Sequence, residues 1–274
     1  MVGALRILEF GFMRRALLAA LLVGLAAPAV GIFLVQRRLA LIGDGLGHVA
    51  VTGVALGLVL DQAPVPVALL VAILGAVAIE LIRARGEALA EIALAMLFYG
   101  GIAGGVVLVS RAPSGSRNMS QYLFGSITST SGSDLRTFAL LAAVILCVTI
   151  GLGSALFSVS NDDEFARASG LPVMRINLLL AVLSALTVVV SMRVVGVLLV
   201  SALMVVPVAT AQLIAKSFRQ TFLIGIAMGV VVAVAGVVVA FYAEAPSGGT
   251  IVLLAITLFV LTFAASGTAK VFRR

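Results

Sequence analysis

Nine stretches of this chain stay apolar for about the 20 residues that a helix needs to cross a bilayer. They cover residues 12–35, 39–60, 64–82, 88–110, 135–157, 175–192, 194–214, 220–243 and 249–269. In hydrocarbon every backbone amide has to be satisfied inside the protein, so only helices and closed barrels are admissible. No stretch sustains the apolar–polar alternation of a barrel strand. The sequence therefore predicts an all-α polytopic membrane protein with eight or nine transmembrane helices, forming one transmembrane domain over residues 1–274. A hydrophobic share of 62%, a mean hydropathy of +1.27 and 11% charged residues exclude an ordinary soluble domain.

The formal charge of +7 comes from 18 lysines and arginines against 11 acids. Most of these cations gather in short connectors, where they read as orientation signals and not as a nucleic-acid patch. Arg83-Ala-Arg85, Arg167 to Arg175, Lys216 to Arg219 and Lys270 to Arg274 are all cytoplasmic if the helices alternate between them. The Ser-, Gly- and Thr-rich stretch from Ser110 to Asp134 then lies outside, where it can touch an outer partner. Arg14-Arg15, the apolar run and Ala26-Ala27-Pro28-Ala29 resemble a signal peptide, but the run continues to Val35 and many spans follow, so a retained first helix is predicted. One conflict arises here. Nine simple spans put the N-terminus outside, whereas Arg6, Arg14 and Arg15 argue for inside, so either the first segment or the Asp44 segment is expected not to cross simply.

Within this apolar background, Asp44 and His48, the chain's single histidine, stand four residues apart. On a helix that spacing puts both on one face. His48 lies roughly 15 Å beyond Arg38, near the middle of a hydrocarbon layer about 30 Å thick. An ionisable residue at that depth is a functional candidate by default. Carboxylate oxygen with imidazole nitrogen suits Zn, Mn or Fe better than soft Cu(I) or hard Ca. Three readings stay open on spacing alone: a weak metal site, a proton relay, and a pair that neutralises itself between helices. Gly53 and Gly57, spaced Gly-x-x-x-Gly, predict close approach of another helix to this one.

Two further segments carry signals. In Ser158 to Arg175, Asn161 or Asp162 can cap a short helix whose first turn holds Asp163 and Glu164, with Gly170 and Pro172 ending it. Such a helix between two spans is either a lever for a partner or a solvated connector. The run from Gly196 to Gln212 follows Arg193 with little room for a loop, and Pro207 removes a backbone donor inside it. Gly196 and Pro207 are thus candidates for a break in a pathway-lining helix, or for a kink without function. Cys147 stands alone, which excludes an internal disulfide. No Gly-x-x-x-x-Gly-Lys-Ser/Thr run, Gly-x-Ser-x-Gly elbow or His-Glu-x-x-His site exists, so ATP binding in the P-loop manner is excluded and an intramembrane hydrolase is a poor fit.

The pattern Arg-Arg-Leu-Ala-Leu-Ile-Gly-Asp-x-Leu-x-His at Arg37 to His48 resembles the signature of the ABC-3 permeases, the membrane subunits of zinc, manganese and iron importers. Leu123 to Ile127, Asp163 to Gly170, Val195 to Ala211 and Pro246 to Gly249 resemble further stretches of that family, in its order and across nearly the whole chain. The resemblance implies a non-catalytic permease of the prokaryotic inner membrane that works as a homodimer or pseudo-dimer. A cytoplasmic ATP-binding subunit and an extracytoplasmic metal-binding protein are its implied partners. No cofactor is held permanently, and a divalent metal (zinc or manganese, possibly iron) is the implied substrate. Carried onto this chain, Asp44 and His48 are transient metal ligands, while Asp162, Asp163, Glu164, Phe165, Ala166, Arg167, Ala168 and Gly170 form the helix that docks on the ATPase. Gly45 and Gly47 stand where Ala and Ser are commoner, which predicts a looser helix by up to about 1 kcal/mol each. The principal rival is a proton-coupled secondary transporter.

Overall fold

The computed structural model describes residues 9–111, 115–126 and 130–271, and all regular structure among them is helical. Long apolar runs close their own backbone hydrogen bonds as α1 (Gly11–Gln36), α2 (Ile42–Val59), α3 (Pro64–Arg83) and α4 (Glu87–Val109). A ten-residue α5 (Gly115–Phe124) precedes α6 (Gly132–Gly151), which a capping box between Ser131 and Asp134 starts. Two short helices, α7 (Gly153–Asn161) and α8 (Asp163–Ala168), lead to α9 (Val173–Ser191). The chain ends through α10 (Val200–Ile214), α11 (Phe218–Ala243) and α12 (Ser247–Val271).

Eight of these helices, α1 to α4, α6, α9, α11 and α12, are long and apolar enough to cross a membrane. The ninth apolar run behaves differently: residues 192–199 are irregular, and only the 15 residues of α10 are helical. Gly196 takes a left-handed φ of +85° in the irregular part, which costs glycine little. Unwound backbone at this depth needs partners. The last turn of α5 supplies them, because Val197 N–H donates to the Tyr122 carbonyl at 2.8 Å and Leu198 N–H to that of Leu123 at 3.4 Å. Thus the orphan carbonyls at the end of α5 satisfy amides of the irregular segment. Pro207 lies inside α10, which runs through it, so the interruption stands at Gly196.

Contacts sort the connectors onto two ends of the bundle. At one end Gln36 bonds Asn161 at 3.1 Å, Arg37 reaches Asp163, and the Phe157 and Phe218 rings lie 4.5 Å apart. The other end joins Arg15 to the Thr130 carbonyl at 3.0 Å, Arg193 to Asp134 at 3.1 Å, and Ser247 to the Val194 carbonyl at 2.7 Å. Arg83, Arg85, Arg167, Arg175, Lys216 and Arg219 belong to the first end, which the positive-inside bias makes cytoplasmic. The start of α1 therefore lies at the outer end, and α1 and α2 are both long and apolar enough to cross. This corrects the expectation that one of them fails to cross. Arg15 misled because its side chain is a hydrogen-bond donor between α1 and the 130–134 segment.

At the centre stands α1, buried from Ala26 through Leu34 and packed by α6, α9, α10 and α11. Beside it, α2 is enclosed by α3, α4, α9 and α10. Close approach replaces bulk here, as packing between helices in lipid favours. A Cβ on Gly53 would meet the Ala68 Cα at 2.5 Å and one on Gly57 the Pro64 Cα at 2.9 Å, so the Gly-x-x-x-Gly pair seats α3. Leucines such as Leu70, Leu140 and Leu253 face outward, as acyl chains require.

Candidate functional site

The site begins at the tight turn between α1 and α2. Arg37 caps α1, Arg38 takes a left-handed φ of +59°, and Leu39 N–H returns to the Leu34 carbonyl at 2.8 Å. That geometry starts α2 at Ile42 and puts Asp44 in its first turn, where free amides favour a carboxylate. Asp44 is half-buried, and the Ser201 hydroxyl, in the first turn of α10, donates to its Oδ1 at 2.6 Å. One turn further, His48 is also half-buried, with its ring edge-on to Phe98 of α4 at 4.3 Å. Thr52 completes a stripe at four-residue spacing, its hydroxyl donating to the Gly101 carbonyl at 2.6 Å.

Glycines let the neighbouring backbones close on this stripe. A Cβ on Gly101 would lie 2.6 Å from the His48 carbonyl carbon, and one on Gly47 would lie 2.8 Å from the Val197 carbonyl oxygen. Gly47 is thus a packing residue that admits the irregular segment before α10. A larger side chain there would push Ser201 away from Asp44.

Asp44 opens onto a cavity of about 620 Å³ between α2, α3 and α4, lined also by Arg38, Arg83, Glu91, Phe98 and Tyr99. The cavity lies toward the cytoplasmic end, where Arg38 and Arg83 belong. Arg37, by contrast, is buried beneath α8. Burial, and then the neighbouring Arg83, lower its pKa from the usual arginine value, while Asp163 and Glu80 raise it in part, and a guanidinium keeps its proton throughout.

Among the described residues no three His, Cys, Asp or Glu side chains converge on one point. Asp44 and His48 therefore offer two donors, enough for a weak grip and too few for a closed site. The short helix α8 carries the remaining candidates. Asp162 accepts the Phe165 N–H at 2.9 Å as N-cap, Ala166 is buried, and Gly170 ends the turn at φ +81°. Glu164, Arg167 and Ala168 are exposed, and Phe165 is 65% exposed at an end of the bundle that faces water. Gly196 packs against α5, and Pro207 is buried within α10.

Sequence reasoning missed Ser201, Thr52 and Phe98. Extending the four-residue step from His48 would have found Thr52. Nothing in the spacing of the chain ties Ser201 or Phe98 to Asp44 and His48, because they come from other helices.

The model of the ABC 3 transport family matches residues 9–266. The manganese transport system membrane protein MntC of Halalkalibacterium halodurans is 30% identical over 94% of this chain and 88% of its own length. A high-affinity zinc uptake system membrane protein, ZnuB of Haemophilus influenzae, is 27% identical over 90% of this chain and 95% of its own. The solved structure of PsaBC from Streptococcus pneumoniae in complex with Fab contains a chain of the same architecture, with a TM-score of 0.86 and 30% identity over 96% of this chain and 95% of that one. With its family model, its relatives and its helical architecture in agreement, this chain is a multi-pass bacterial inner-membrane protein that belongs to the ABC 3 transport family.

Proposed function

We propose that this chain is the membrane permease of an ABC-type importer of a divalent metal, manganese or zinc in the first instance and iron in the second. A separate cytoplasmic subunit hydrolyses ATP and docks on α8, and an outer binding protein delivers the metal to the outer end of the bundle, where Thr130 and Asp134 lie. Two copies of the chain enclose the pathway. Asp44 and His48 bind the ion in transit. Borderline dications accept this mixed oxygen and nitrogen pair. Two donors per chain suit an ion that has to leave again, and a second copy or water completes its coordination.

The observation that carries this reading is the Asp44–His48 pair, one turn apart on a helix inside the bundle. Its carboxylate is held by Ser201 and opens onto a cavity toward the cytoplasmic end. Names of relatives from manganese and zinc systems support the choice of cargo. The test is uptake of radiolabelled manganese and zinc by the reconstituted permease with its ATPase and binding protein. Asp44→Asn and His48→Ala are each expected to lower uptake more than about tenfold while the ATPase subunit still co-purifies. Undiminished uptake by either variant overturns the assigned roles. Transport that continues without ATP favours the proton-coupled carrier instead.

A further inference from the structure

Arg37, the first residue of the signature stretch, has no place in the metal grip, yet it is among the most heavily engaged side chains of the molecule. Only 5% of its side chain is exposed. One arm of its guanidinium donates to Asn177 Oδ1 on α9, and the other reaches the Asp163 carboxylate of α8 at 3.3 and 3.4 Å. The Glu80 carboxylate of α3 lies within electrostatic reach of Arg37, and Arg83 donates to it at 3.1 Å. Glu80 and Asn177 are 4% and 7% exposed.

Asp163, Arg37 and Asn177 on one side and Glu80 and Arg83 on the other thus form one buried polar cluster across α8, α9 and α3. It starts on the exposed short helix and ends at the cavity onto which Asp44 opens. Stability alone gives little reason to bury such a cluster, since replacing buried ions with apolar groups of the same shape is often neutral or stabilising. Its layout suits transmission. Arg37 holds Asp163 only while α8 keeps its position, and the tight turn at Arg38 and Leu39 leaves no slack before α2 starts at Ile42, two residues short of Asp44.

We propose that Arg37, Asn177 and Glu80 are positioning residues that pass movement of α8 to the Asp44 helix and to Arg83 at the cavity. The proposal rests on the reading of α8 as the ATPase docking helix. Asn177→Leu and Glu80→Gln test it without altering the surface that α8 presents. In the reconstituted transporter with its ATPase and binding protein, metal delivered and ATP hydrolysed are measured together. We expect the ATPase subunit to co-purify at the wild-type level and ATP hydrolysis to persist. Metal moved per ATP is expected to fall about tenfold, within the usual range of coupling between sites. A fall in assembly, hydrolysis and uptake together, at an unchanged ratio, marks a structural staple and overturns the proposal, as does a wild-type ratio in both variants. If the wild-type complex moves no metal or needs no ATP, the functional reading itself fails, and the link falls with it.

Discussion

At the level of single side chains, the contact between Ser201 and Asp44 decides how the carboxylate is presented. A hydroxyl donating to one carboxylate oxygen at 2.6 Å fixes that oxygen, and Asp44 also lines the cavity. Hydrogen bonds to charged groups contribute about 1.5–3 kcal/mol. Ser201→Ala is accordingly expected to raise the metal concentration for half-maximal uptake by about tenfold or more and to leave the amount of folded protein unchanged. Uptake kinetics across a metal titration check this, and an unchanged half-saturation would show that Asp44 is oriented without Ser201. The carboxylate and histidine were legible in the sequence because their spacing is local to one helix. Ser201 was not, because 157 residues separate it from Asp44 and the fold alone brings them together.

Elements differ in how much of them composition reveals. Long apolar runs announce α1 to α4, α9, α11 and α12 directly, since length and hydropathy are the whole requirement for a spanning helix. The run at 194–214 looked the same and is not, because its first part draws hydrogen bonds from α5 instead of from its own next turn. The cap of α8 was readable, as Asp162 three residues ahead of Phe165 is an N-cap pattern with a mechanism. This helix presents Glu164, Phe165 and Arg167 outward while Asp163 and Ala166 attach it to the bundle. Glu164→Arg reverses charge on the exposed side only, and it is expected to lower co-purification of the ATPase subunit several-fold with the permease still folded. Equal recovery of the partner by pull-down would move the docking surface elsewhere.

For the molecule as a whole, the placement of connectors fixes a topology that charge counting alone left in conflict. Helix α1 starts at the outer end, with Arg15 bonded to Thr130 and Arg193 paired to Asp134 there. In a Cys147→Ala background, Glu9→Cys is expected to react with a membrane-impermeant maleimide in intact cells, whereas Arg167→Cys is expected to react only after the cells are opened. The reverse pattern would invert the assignment. Cations near a terminus count as orientation signals only when they are free to stay with the membrane surface, and a side chain recruited into tertiary structure is removed from that count.

In the proposed dimer, an incomplete grip by Asp44 and His48 has a genetic counterpart. Where each protomer contributes half of what an ion holds, one impaired allele product spoils every assembly it joins. In a mixed population of intact and Asp44-deficient subunits, working transporters therefore become scarcer than intact chains, falling with the square of their share. On that proposal, loss at this position is expected to be dominant in character, while loss of a residue that serves only its own protomer is not.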